Sequence, residues 1–175
     1  TVLFAGTFEI HKGVDILPDL LTYLPKSTQM MIVGDGPQKE DLYKKISRID
    51  HGSQVKYFGW LNKEEMIEEY CTASVVVFPS LWEEPFGRVG IEALAAGRPV
   101  VAFDVGGVRD WLVDGVNGFL IPRGDVSLMA EKVRLLLADE KLANEMGMEG
   151  QSMVKRCFEK KHVISCFESV LESIV

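Results

Sequence analysis

The 175-residue sequence is short of cysteine, histidine and basic charge, and each shortage removes a class of function. Cys71, Cys157 and Cys166 are odd in number and lack paired metal-ligand spacing, so the expectation is a reducing, cytoplasmic setting with idle thiols. His11, His51 and His162 are scattered, and no metal site is expected. With 19 Lys and Arg against 26 Asp and Glu, the net charge of -7 disfavours nucleic acid and docking of the whole surface on anionic lipid. Cationic groups that matter must therefore act locally. No apolar run approaches the ~20 residues of a membrane span, no signal peptide is visible, and no internal repeat or low-complexity linker interrupts the chain. A complete G-x-G-x-x-G is also missing, which argues against a nicotinamide-dependent enzyme.

What is present is a succession of short apolar runs, each followed by a helical segment. The length suits one domain burying roughly 70% of its unfolded surface, too little for two large cores. Residues 75–78, Val-Val-Val-Phe, form an unbroken run of the kind a strand shows when helices cover both faces. Pro79 ends it, an acidic loop follows, and a helix is expected over 86–96, stopping at Gly97 with Pro99 just beyond. Residues 100–103 restart a strand, which completes a βαβ unit. Further strands are expected at 2–5, 29–33, 55–59 and 115–121. Helices are expected over 13–23, 37–47, 62–71, 126–138, 140–157 and 161–174, with a short one ending at Val113. Asn62 with Glu65 reads as a capping box, Asp125 as an N-cap, and Val163, Phe167, Val170, Leu171 and Ile174 as an apolar stripe.

Two carboxylates frame the central helix terminus, Glu84 before it and Glu92 within it, with seven residues between. A phosphate suits the free N–H groups of the helix end, and two carboxylates suit sugar hydroxyls. Lying about two turns apart at roughly 1.5 Å per residue, the carboxylates address different parts of one ligand. Gly6 and Gly13 permit tight turns around Lys12, placed at the head of the 13–23 helix where its ammonium can meet a diphosphate; an ordinary exposed lysine fits the same residues. Gly34 and Gly36 make a lone G-x-G, read either as close approach to a nucleotide or as a plain strand-to-helix turn. Gly106 and Gly107 can present consecutive N–H groups to a phosphate or sugar oxygen.

Taken together, Glu84-Pro85-Phe86-Gly87 with Glu92, Gly97-Arg98-Pro99-Val100, Gly106-Gly107 and the G-x-x-x-x-x-K-G spacing of Gly6, Lys12 and Gly13 resemble glycosyltransferase family 4 over nearly the whole chain. The resemblance implies a retaining hexosyltransferase of the GT-B fold, using a nucleoside-diphosphate sugar as donor, with neither cofactor nor metal. It implies Lys12 and Glu84 as catalytic residues, Lys12 neutralising the departing diphosphate. Glu84 and the backbone at Phe86 and Gly87 would hold the sugar, Glu92 the ribose hydroxyls, and the backbone around Trp60 and Leu61 the base. Thr7 departs from the pattern, since relatives carry arginine there; a hydroxyl supplies neither a fixed charge nor a fork, so Arg88 is expected to share the role. Arg109 and Asp110 also stand where relatives have proline and glutamate.

The expected architecture is a Rossmann-like, doubly wound, mainly parallel six-stranded sheet in the order 3-2-1-4-5-6, with helices on both faces. Residues 1–175 are read as one nucleotide-sugar-binding domain, the C-terminal half of a GT-B fold, because the chain opens inside a strand. The partner implied is an N-terminal acceptor-binding domain, through which peripheral membrane association stays open, and the chain alone is expected to be inactive. The competing reading is a non-catalytic nucleotide or sugar-phosphate binding module.

Overall fold

The computed structural model describes residues 1–50 and 52–158. The expected helix at 161–174, its apolar stripe, and His51, His162 and Cys166 lie outside them. Among the described residues the strands are β1 (Val2–Ala5), β2 (Met30–Val33), β3 (Val55–Phe58), β4 (Val75–Phe78), β5 (Val100–Phe103) and β6 (Gly118–Ile121). They form one parallel sheet in the order β3-β2-β1-β4-β5-β6, as the sequence predicts. Every residue of β1, β2, β4 and β5 is buried, which is why these runs are continuously apolar instead of alternating. At the two edges β3 and β6 are only partly covered.

Six α-helices among the described residues connect or cover the strands: α1 (Leu17–Tyr23), α2 (Lys39–Ile46), α3 (Lys63–Thr72), α4 (Arg88–Ala95), α5 (Val126–Ala138) and α6 (Glu140–Phe158). The start of α3 is a complete capping box between Asn62 and Glu65, and Asp125 caps α5 by accepting from the Leu128 N–H. None of these helices is long and apolar enough to cross a membrane.

Three local expectations are corrected. The helix predicted over 13–23 is instead two 3-10 turns, Ile10–Lys12 and Val14–Ile16, followed by α1 from Leu17. Gly13 separates the turns with φ of 72°, and Pro18 fits only a first helical turn, so the ladder starts late. The segment after β5 is a 3-10 turn, Gly106–Asp110. Strand β6 begins at Gly118 rather than 115, because the buried Asn117 side chain ties Val113 N–H and Trp111 C=O into a turn.

Packing under α4 leaves no room for a side chain at Gly90. A Cβ at Gly90 would sit 2.0 Å from the Trp111 ring, whose indole N–H donates to the Phe86 carbonyl. Gly90→Ala gains about 1 kcal/mol of helix propensity but drives a methyl group into a buried ring, an overpacking cost of up to about 3 kcal/mol. The clash wins at that distance. The expected result is a net loss of about 2 kcal/mol, read as a lower denaturation midpoint in urea.

Candidate functional site

Strands β1 and β4 are neighbours in the sheet but connect to opposite sides of it, which makes their carboxyl ends the topological switch point. Two loops meet there. The first follows β1: the Gly6 N–H donates to Val33 O at 3.0 Å, the Phe8 N–H to Asp35 O at 2.9 Å, and Phe8 is fully buried. The 3-10 turn then closes through Lys12 N–H to Glu9 O and Gly13 N–H to Ile10 O, both at 2.9 Å. Gly13 presses so closely on the end of β4 that a Cβ there would lie 1.9 Å from Pro79 O. The Leu81 N–H donates to His11 O at 2.8 Å and seals the two loops together.

This contact aims Lys12 at the acidic loop. Lys12 Nζ lies 2.5 Å from Glu84 Oε1, and the Ser80 hydroxyl, 2.7 Å from the same oxygen, lies 3.2 Å from the His11 carbonyl. Glu84 is only 5% exposed, and these two partners satisfy its Oε1. The acidic loop is held from its other side: Gly107 N–H donates to Glu84 O at 2.7 Å and Gly106 N–H to Glu83 Oε2 at 3.0 Å. A side chain at Gly106 would strike the Glu84 backbone at 2.4 Å.

Beyond Glu84 the chain enters α4 through Gly87, whose φ of 86° is left-handed, and Gly87, Arg88 and Val89 at the head of the helix line the same space. About one turn into the helix, Glu92 accepts from the Tyr70 hydroxyl at 3.2 Å and from Arg88 Nη2 at 3.3 Å. Burial, and then the Glu92 carboxylate beside it, push the Tyr70 phenol well above its usual range, so it stays protonated and donating.

The result is a cleft of about 440 Å³. Gly6, Thr7 and Lys12 line it from the first loop, Trp60 from the turn after β3, and Ser80, Glu84 and Pro85 from the acidic loop. Phe86, Gly87, Arg88 and Glu92 line it from the start of α4. Phe158, at the end of α6, packs edge-to-face on Phe86 with ring centroids 5.5 Å apart, so α6 buttresses the lip.

Five of the sequence-predicted residues are not part of that lining: Gly34, Gly36, Leu61, Gly106 and Gly107. Gly34 and Gly36 touch protein instead, since a Cβ would lie 1.9 Å from Gly6 O at the first and 2.8 Å from the Phe8 backbone at the second. Gly106 and Gly107 spend their N–H groups on the acidic loop. The Thr7 hydroxyl donates to Glu9 Oε2 at 3.2 Å, and the Arg88 side chain is 86% exposed, so its i,i+4 pair with Glu92 is a weak tether. Conversely, Ser80 and Tyr70 hold Glu84 and Glu92 but were not among the predicted residues. A serine after a strand and a tyrosine near a helix end are too common to announce a role. Among the described residues no group of three His, Cys, Asp or Glu side chains is placed to hold a metal ion.

The comparisons with known proteins agree on one family. A family model described as glycosyl transferases group 1 matches residues 1–153. The uncharacterized glycosyltransferase MJ1178 of Methanocaldococcus jannaschii is 32% identical over 157 residues, 88% of this chain and 43% of that protein. The sulfoquinovosyl transferase SQD2 of Arabidopsis thaliana is 34% identical over 149 residues, 83% of this chain and 28% of that protein. Among solved structures, Anabaena Alr3699/HepE in complex with UDP superposes with a TM-score of 0.91 at 26% identity, covering 98% of this chain and 48% of that one. The same Anabaena protein has also been solved with UDP-glucose. The chain thus spans less than half the length of these relatives.

Proposed function

Because this chain belongs to the glycosyl transferases of group 1, we propose that it is the donor-binding domain of a retaining enzyme that moves a hexosyl group from a nucleoside-diphosphate sugar to an acceptor hydroxyl. One observation carries the reading: Lys12 lines the same cleft at the switch point of the sheet as Glu84, 72 residues away in sequence, and Glu92. The complexes of Anabaena HepE with UDP and UDP-glucose support the ligand class. In this reading the domain is the C-terminal half of a GT-B enzyme. The acceptor is held mainly by an N-terminal domain, and the chain alone transfers nothing.

Each side chain then has a task. The bond from the anomeric carbon to the β-phosphate oxygen breaks, the electron pair leaves on the diphosphate, a bond forms to the acceptor oxygen, and the acceptor's proton passes to the departing diphosphate. Charge develops on the leaving diphosphate, so a fixed cation there stabilises the transition state more than the ground state. The Lys12 ammonium has three donors; it can keep Glu84 and still take a phosphate oxygen. The α4 terminus adds N–H groups, Glu84 accepts from sugar hydroxyls, and Glu92, steadied by Tyr70, accepts from the ribose. With Lys12 and the α4 N–H groups facing the diphosphate, this reading requires no metal.

Titration with UDP, UDP-glucose and NAD tests the proposal. Saturable binding of UDP or its sugar supports it, whereas preference for NAD or absence of any nucleotide binding overturns it. Thr7 favours the rival reading of a binding module without catalysis, since it removes the cation that relatives carry. Thr7→Arg is therefore expected to tighten UDP binding by about 1 kcal/mol, some fivefold, by adding a charge-assisted fork. An unchanged affinity would place the phosphates away from Thr7.

A further inference from the structure

A second cavity, of about 540 Å³, borders the same two loops that wall the cleft, and Glu9, His11, Gln38, Trp82 and Arg123 are among its lining. The two spaces share one partition. His11 lines the second cavity and Lys12 the first; Trp82 lines the second and Glu84 the first. The Leu81 N–H to His11 O bond holds the partition closed.

Trp82 is 56% exposed, yet its ring is braced edge-to-face by His11 with centroids 5.9 Å apart, and His11 Nε2 is itself 3.3 Å from Glu9 Oε2. A fixed, exposed indole offers an apolar plate at low entropic cost. Around it stand an amide, a carboxylate and a guanidinium, groups that between them donate to and accept from hydroxyls. The Gln38 side-chain amide makes no hydrogen bond among the described residues. Arg123 Nη1 is 3.6 Å from Glu83 Oε1, and Glu9 adds a further negative charge, so the cavity disfavours a phosphate or a carboxylate ligand. A neutral ring with one apolar face and a rim of hydroxyls matches both halves of the lining.

We propose that this cavity is a second carbohydrate subsite, which seats a pyranose of the acceptor against Trp82, one loop's thickness from the Lys12–Glu84 pair. The assignment rests on the donor-site reading above. It adds an acceptor contact supplied by this domain itself.

The test is saturation-transfer NMR on the 175-residue chain with methyl α-pyranosides of gluco, galacto and manno configuration, run with and without saturating UDP. At least one glycoside should show saturation transfer that persists when UDP fills the first cleft. Trp82→Ala should weaken its binding about tenfold while UDP affinity and the melting temperature stay unchanged. Signals from none of the three, signals displaced by UDP, or a glycoside affinity left unchanged by Trp82→Ala each overturn the proposal. Failure of UDP to bind the unaltered chain would instead sink the donor reading, and the two failures are read from separate arms.

Discussion

Lys12→Ala is expected to cut nucleoside-diphosphate affinity about a hundredfold, because it deletes the ammonium that faces both the cleft and Glu84. A charge-assisted contact to phosphate carries up to about 3 kcal/mol, and hundredfold is near the top of that range. The same change leaves Glu84, 5% exposed, with the Ser80 hydroxyl as its remaining side-chain partner. Breaking a buried pair costs about 3–5 kcal/mol; Lys12 retains 30% exposure, so about 2 kcal/mol is the expected loss of stability. The two effects are separable. Removing both partners, in Lys12→Ala combined with Glu84→Ala, should recover much of the stability while leaving UDP binding lost. Calorimetric titration and urea denaturation of the single and double variants check both halves.

Gly13→Ala is expected to be the most destabilising of the substitutions considered, at about 4 kcal/mol. Alanine pays about 1 kcal/mol for φ of 72°. The larger cost is steric. The new Cβ would lie 1.9 Å from Pro79 O, a backbone atom at the end of a fully buried strand, with no flexible side chain to yield. The first loop must then lift from the second and carry Lys12 with it, so UDP binding falls too. Gly124→Ala is the control: φ of 84° is equally left-handed, but nothing lies within 4 Å of the added carbon. It should lose only about 1 kcal/mol and keep UDP affinity.

The legibility of this chain divides along physical lines. Strands β1, β2, β4 and β5 could be read because burial on both faces demands continuous apolar runs, and a run such as Val75-Val76-Val77-Phe78 has little other use. The parallel α/β class followed from the alternation of such runs with helices, and the order from the Rossmann-like fold that the resemblance implies. Capping at Asn62 and Asp125 was readable since it depends on neighbours three residues away. What depends on distant partners was not. Gly34 and Gly36 look the same in sequence whether they admit a nucleotide or the Gly6 and Phe8 backbones. Gly106 and Gly107 likewise spend their N–H groups on a loop more than twenty residues away. Tyr70 and Ser80 gain their positioning roles only when the sheet brings α3 beside α4, and the His11 loop against β4. The 3-10 turns around Lys12 escaped for a different reason. Gly13 permits a helix start as readily as a left-handed break, and contact with Pro79 decides between them.

Amide chemical-shift mapping during a UDP titration interrogates the shared cleft most directly. The account predicts that the largest perturbations fall on Gly6, Thr7 and Lys12, on Trp60, and on the segment from Glu84 to Glu92. Perturbations centred instead on the surface around Val116 and Met148, or no perturbation at saturating UDP, would contradict it.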